Sequence, residues 1–147
     1  ARIMDLQDPT SKMSKSEDQA PGTILFLDEP KAIEKKIKRA VTDTEAEVRY
    51  DVTAKPGVAN LLSILGAATG RTPEAAAEGY TQYGPLKADT AAAVIERLAP
   101  MQARFAELAA DPAETARILA DGAAKARGVA ATTLARARDH IGLLPPA

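Results

Sequence analysis

The sequence predicts a mainly α-helical chain that begins with a short non-helical stretch. Apolar residues recur at helical spacing in successive segments from about residue 30 onward. Aromatic residues are scarce (three Tyr, two Phe, no Trp), so the core must be built from Leu, Ile, Val and much Ala, side chains that favour closely packed helices. Proline and glycine punctuate the segments where helices should start and stop. At 147 residues, 46% hydrophobic and 27% charged, the chain suits one domain or two small packed modules and not a disordered tail.

Residues 1–6 read as one short strand, the end of a sheet with no partner strands downstream. This abrupt opening suggests a piece of a longer chain. "QDPTSKMSKSEDQAPG", residues 7–22, reads as loop. "TILFL", residues 23–27, is too short to assign to strand or helical turn. In "DEPKAIEKKIKRAV" Pro30 suits an early helical position, and Ile33, Ile37 and Val41 form a narrow apolar stripe. "KPG" then turns into a second helix with Val58, Leu61, Leu62 and Leu65 facing inward and Gly70 just past its end. Thr72 and Pro73 open a short third helix. "GYTQYGPLKAD" reads as loop, followed by a helix from about Lys87 to Ala110 with Ala91, Ile95, Leu98, Met101, Phe105 and Leu108 on one face. Pro100 should kink or divide it. Asp111, Pro112 and Glu114 form a capping box for a last helix reaching about Ile141, with Gly122 and Gly128 as weak points.

The formal net charge is -1, so whole-chain charge gives no support for nucleic-acid or membrane binding, although a local patch can act alone. No stretch approaches 18 apolar residues, so no membrane partner is expected. With no cysteine and one histidine, His140, thiolate chemistry is absent and no metal ligand set is expected from protein side chains. His140 reads as a capping or surface residue near a helix end.

The polar loop holds Lys12 and Lys15 among Ser14 and Ser16. Lysine is a point charge with three rotatable donors, and hydroxyls and main-chain N–H groups add more, a set suited to phosphate oxygens. A solvated loop of no special purpose has the same composition. No P-loop and no dinucleotide fingerprint is present. "KMSKS", Lys12–Ser16, is the second signature of the class I aminoacyl-tRNA synthetases. With "ARIMDLQDPTSKMSKS", "IEKKIKRAVTD" and "KPGVANLL" in order, the chain resembles the bacterial tryptophanyl-tRNA synthetases across nearly its whole length, more loosely beyond "YGPLKAD".

That resemblance implies a C-terminal helical bundle, residues 28–147, that recognises the tRNA anticodon. Before it stands a short remnant of a Rossmann-like α/β nucleotide-binding domain, residues 1–27, carrying the signature loop. Lys12 and Lys15 would hold the ATP phosphates and the leaving pyrophosphate. Ser14 and Ser16 would support the loop, the backbone of Met13 would meet the adenine, and Ile3 would help wall the adenine pocket. The reaction implied is cytoplasmic activation of L-tryptophan by ATP, with Mg2+ accompanying the nucleotide, then transfer to tRNA(Trp) by a homodimeric enzyme. The family's first, histidine-containing signature and its indole pocket are missing from these residues, so the chain alone is expected to be inactive. A non-catalytic helical RNA-binding module and a helical interaction protein are the alternatives.

Residues 31–39 hold five basic side chains against Glu34. Such a helix can lie along a phosphate backbone or be a solvated face with local pairs such as Glu34 with Lys38. Lys35, Lys36, Arg39, Arg71, Lys87, Arg97 and Arg104 are candidate tRNA contacts because they are cationic and expected to be exposed. Tyr80 and Tyr83 can stack on an unpaired base or pin a loop to the core, and pinning is favoured. Asp43, Pro56 and Gly57 read as architectural.

Overall fold

A computed structural model describes residues 2–14 and 21–143. Among the described residues there are five helices: α1 (Pro30–Lys38), α2 (Pro56–Thr69), α3 (Pro73–Ala77), α4 (Tyr83–Ala110) and α5 (Pro112–His140). The mainly helical expectation holds. Among the described residues there is no strand: Met4 and Lys12 form one isolated antiparallel bridge where a strand over residues 1–6 was expected. The reason is that no second strand lies beside Met4, whose main chain pairs instead with the Asn60 side chain. Residues 23–27 form neither strand nor helix but a turn, tied by the Asp28 N–H to the Leu25 carbonyl at 3.1 Å.

The chain divides into two compact units, Ala1–Gln102 and Ala103–Ala147, and the division falls within α4. Residues 2–27 therefore share one compact unit with α1, α2 and α3.

The first unit is built around α2, whose buried residues run nearly all the way round it. Val58, Leu61, Leu62 and Leu65 pack with Ile33 and Ile37 of α1, Ala76 of α3, Leu86 and Ala91 of α4, and Leu6 from the N-terminal segment. Val41 does not extend the α1 stripe. The helix ends at Lys38 and Val41 is exposed, its N–H bonded to the Leu6 carbonyl at 2.8 Å. Gly70, in the left-handed conformation at φ 75°, ends α2. The Thr72 hydroxyl caps α3 by accepting the Ala75 N–H at 3.2 Å.

α4 begins one turn earlier than expected, at Tyr83, because Pro85 falls in the first turn, where its missing N–H has no intrahelical partner to lose. Pro100 does not divide this helix. Both Pro100 and Glu96, whose carbonyl loses its partner, are exposed, so solvent can serve the orphaned oxygen. Leu86, Thr90 and Ala91 are buried, while Met101 is exposed.

In the second unit, the Asp111 carboxylate accepts the Glu114 N–H at 3.0 Å, and Pro112 follows as the first helical residue. Glu114 does not close a capping box. Its carboxylate pairs with Arg117 at 2.7 and 2.8 Å, and that hydrogen bond holds its pKa below the ordinary value. α5 passes unbroken through Gly122 and Gly128 and ends at the exposed His140, as a helix C-terminus favours.

Two glycines give a test of opposite signs. A Cβ on Gly57 would run into the carbonyl of Val41, whereas one on Gly122 would meet open space. Gly122→Ala should raise stability by about 1 kcal/mol through helix propensity. Gly57→Ala, also in a helix, should lower it. Urea denaturation of both variants checks the pair, and stabilisation by Gly57→Ala would show that α2 does not pack against residue 41.

Candidate functional site

The two sides of the lysine loop are tied to the N-terminal segment. The Met13 N–H donates to the Ile3 carbonyl (3.2 Å), and the Asp5 N–H to the Ser11 carbonyl (2.9 Å). On the far side, the Leu6 N–H donates to the Gly22 carbonyl at 2.9 Å, and the buried Thr23 hydroxyl lies 3.3 Å from the Ser14 carbonyl. Asp5 organises the turn by accepting the N–H groups of Gln7 (2.7 Å) and Asp8 (3.1 Å). A Cβ at Gly22 would collide with the Asp5 carboxylate, which would have to move. Asp8 accepts the Thr10 hydroxyl (2.6 Å) and N–H (3.1 Å), and these bonds lower its pKa.

Lys12 is exposed on this stem and lines a cavity of about 260 Å³ with Asp5, Asp8, Ser11, Ser14 and Gly22. Ile3 and Met13 line a different, apolar cavity of about 350 Å³, with Ile24, Ile64, Val94 and Leu98 among its other walls. The stem thus presents cation and hydroxyls to one cavity and apolar side chains to another. Lys15 and Ser16 lie outside the described residues.

The segment after the loop is fixed to the helices. The Asp28 carboxylate accepts the Leu25 N–H (2.8 Å) and the Lys36 ammonium (2.5 Å). The Gln102 amide of α4 donates to the carbonyls of Phe26 (2.8 Å) and Asp28 (3.2 Å).

The candidate cations separate by environment. Lys36 is half-buried in its pair with Asp28, and among the described residues Lys38 makes no ion pair. Lys87 is also half-buried: its ammonium donates to the Ala40 carbonyl at 2.8 Å and to the Lys38 carbonyl at the end of α1 at 3.4 Å, and burial lowers its pKa. The expectation that Lys36 and Lys87 are exposed is thereby corrected, because each reaches a polar partner beneath the surface. Arg71 is exposed and donates to the Ala75 carbonyl, and Arg104 is exposed and pairs with Glu107 at 2.8 Å. Lys35, Arg39 and Arg97 are exposed. Both tyrosines pin: the Tyr80 hydroxyl donates to Asp89 at 2.7 Å, and burial together with that bond pushes its pKa up to about 12.

Sequence reasoning missed Lys55. It stands before Pro56 at the N-terminus of α2, is 1% exposed, and lies 3.0 Å from Asp43 and 2.8 Å from Glu45. It also donates to the Tyr83 hydroxyl at 3.3 Å. Burial opposes its charge, but the bonds to Glu45, Asp43 and Tyr83 outweigh that and raise its pKa. Tyr83 in turn donates to Asp43 at 2.6 Å, and this bond is the main reason that the Asp43 pKa falls to about 2. The acid-rich run Asp43, Glu45, Glu47 was the available signal, since three carboxylates close together call for a cation.

A helical protein with a lysine-bearing loop is the class that the fold and site define, and comparison with known proteins gives the family. The family model for class I tRNA synthetases (W and Y) matches residues 1–99, and the chain belongs to that family. It is 51% identical over 146 residues to tryptophan--tRNA ligase 1 of Streptomyces coelicolor, covering 99% of this chain and 44% of the relative. It is 49% identical over 147 residues to the tryptophan--tRNA ligase of Mycobacterium leprae, covering 99% and 43%. The crystal structure of tryptophanyl-tRNA synthetase from Mycoplasma pneumoniae superposes with a TM-score of 0.85 at 32% identity, covering 97% of this chain and 44% of that one. The chain therefore spans less than half the length of the curated relatives it matches.

The Asp43 environment predicts an acid limb. Its pKa is depressed on folding, so its contribution is complete above the unfolded value, about pH 4, and is lost as pH falls toward 2. Tyr83→Phe should raise the Asp43 pKa, lower stability at neutral pH and flatten the decline below pH 4. Carboxyl-carbon NMR titration with urea midpoints at pH 6 and pH 3 tests this, and Asp43 titrating near pH 4 in the unsubstituted protein would refute it.

Proposed function

We propose that this chain is the part of a tryptophan--tRNA ligase that supplies the ATP-phosphate loop and the helical tRNA-facing region. The observation that carries this reading is the exposed Lys12, stemmed beside Ser11 and Ser14 on a KMSKS segment, in a chain about 50% identical along its length to tryptophan--tRNA ligases. In the intact enzyme a carboxylate oxygen of L-tryptophan attacks the α-phosphorus of ATP, and the bond to the bridging oxygen of pyrophosphate breaks. The substrate is the nucleophile, so no activated side chain is required. Lys12 and Lys15 offset the charge that builds on the leaving phosphates, and they accelerate the step to the extent that their hold strengthens in the transition state. The adenylate is then transferred to tRNA(Trp).

Mg2+ accompanies the nucleotide. The carboxylates in the cavity beside Lys12 are taken up by main-chain donors, Asp5 by Gln7 and Asp8, and Asp8 by Thr10. Among the described residues no cluster of carboxylates is grouped to hold a metal, so these residues would meet Mg2+ only through the phosphates that Lys12 and Lys15 engage. Residues 1–27 end the nucleotide-binding domain and residues 28–147 form the tRNA-facing domain of a cytoplasmic homodimer. Lys35, Arg39, Arg71, Arg97 and Arg104 are surface cations offered to the tRNA backbone, while Lys36 and Lys87 serve the fold at either end of α1. No helix among the described residues is long and apolar enough to cross a membrane.

In the intact gene product, Lys12→Ala and Lys15→Ala should each slow tryptophan-dependent ATP–pyrophosphate exchange by ~10²–10³-fold while tryptophan affinity changes little. Comparable losses in both quantities would remove the lysines from phosphate binding. Lys35→Ala with Arg39→Ala should weaken tRNA binding and flatten its salt dependence by about one counterion for each phosphate that is no longer neutralised. An unchanged salt slope would make α1 an ordinary solvated face.

A further inference from the structure

We infer that Asn60 is a positioning residue for Lys12, the first lysine of the signature loop; this deepens the proposed ATP reading and rests on it. Asn60 lies in the buried wall of α2 and is 4% exposed. Its side-chain oxygen accepts the Met4 N–H at 2.9 Å, and its side-chain nitrogen donates to the Met4 carbonyl at 2.8 Å. Both main-chain groups of one residue, 56 positions earlier, are thus read by one side chain.

Met4 is the residue that faces Lys12 across the isolated antiparallel bridge. The bonds that close this bridge come from the flanking residues, Asp5 N–H to Ser11 and Met13 N–H to Ile3. In that pattern the N–H and carbonyl of the facing pair point outward, away from each other. Those of Met4 therefore point to α2, where Asn60 meets them. In an ordinary sheet a neighbouring strand would occupy that side and fix the register. Here an amide side chain takes its place.

Register matters because side chains alternate between faces along an extended segment. A slip by one residue would carry the ammonium of Lys12 to the opposite face. A single two-residue bridge has little ability to resist such a slip. Asn60 can supply that resistance because α2 is itself immobilised: Val58, Leu61 and Leu62 are fully buried on either side of it, and Lys55 ties its N-terminus to Asp43 and Glu45. Asn60 would touch neither ATP nor tryptophan.

A merely structural asparagine would lower stability without altering the chemistry of the folded population, so the test is a kinetic double-mutant cycle in the intact gene product. Asn60→Ala should slow single-turnover adenylate formation by ~10–100-fold with less than ~3-fold change in the KM for tryptophan, as expected when a catalytic group is misplaced by about an ångström. In a Lys12→Ala background the same change should cost less than ~3-fold, because the group it positions is gone. If Asn60→Ala fails to fold, Asn60→Asp serves the same cycle, keeping the shape and the acceptor and losing the donor to Met4. Equal, additive losses in the two backgrounds would overturn the inference. Amide hydrogen exchange gives an activity-independent reading: Asn60→Ala or Asn60→Asp should accelerate exchange at Asp5 and Met13. Unchanged protection there would also overturn it. Lack of pyrophosphate exchange by the unsubstituted protein would instead count against the proposed function, and the amide measurement would still decide the role of Asn60.

Discussion

The first unit depends on one constraint: α2 is buried on nearly every side, so whatever touches it is held. Helices that are apolar all round belong in an interior. The polar groups α2 does carry each have a partner: Asn60 holds Met4, the Ser63 hydroxyl donates to the Ala59 carbonyl at 2.8 Å, and the Thr69 hydroxyl to the Leu65 carbonyl at 2.8 Å. Its glycines let other backbones approach. Gly57 sits against the carbonyl of Val41, and at Gly66 an added Cβ would lie 2.7 Å from the Arg71 carbonyl oxygen. Displacing α2 would open voids among Val58, Leu61 and Leu62 and unpair Asn60 together, and both effects are costly in a close-packed interior.

Charge placement follows from the same geometry. Lys55 precedes the positive end of the α2 dipole, an adverse place for a cation. Asp43, Glu45 and Tyr83 offset that cost and draw the acid-rich connector over the helix N-terminus. Lys36 and Lys87 likewise serve the fold, one on Asp28 and the other on the carbonyls of Lys38 and Ala40 where α1 ends. The Gln7 side chain completes that end by donating to the Arg39 carbonyl at 2.9 Å. A run of basic residues that looks uniform in sequence is thus divided between inward and outward duties, and only the outward members suit a polyanion.

The lysine loop is held from two directions. Asn60 of α2 fixes the residue opposite Lys12, and Gln102 of α4 fixes the carbonyls of Phe26 and Asp28 beyond the loop. The stem that carries Lys12 and the segment after the loop are therefore fastened to α2 and α4. The tryptophan--tRNA ligases that resemble the chain are more than twice its length, and tryptophan recognition is proposed to lie in that further part.

Helices were legible because their signals are local. Apolar spacing placed Ile33, Ile37, Leu61 and Leu62, and cap residues placed the starts at Thr72 and Asp111. The KMSKS segment was legible as a motif, and with its neighbouring blocks it pointed to the family. What failed was equally physical. Val41 kept the apolar period but fell beyond the last turn of α1, and Pro100 did not divide α4, where it and Glu96 are both exposed. Lys87 looked like a surface cation, yet it reaches the end of a helix more than forty residues earlier in the chain. Nothing near Asn60 in sequence marks it as the partner of Met4, and the acid-rich run at Asp43, Glu45 and Glu47 calls for a cation without naming Lys55. By itself the sequence determined helix positions, the loop motif and the family, because these depend on neighbours a few residues apart. Only the tertiary structure decided which cations are engaged and what holds the loop, because those partners, from Lys36 with Asp28 to Asn60 with Met4, are chosen by how the chain packs around α2.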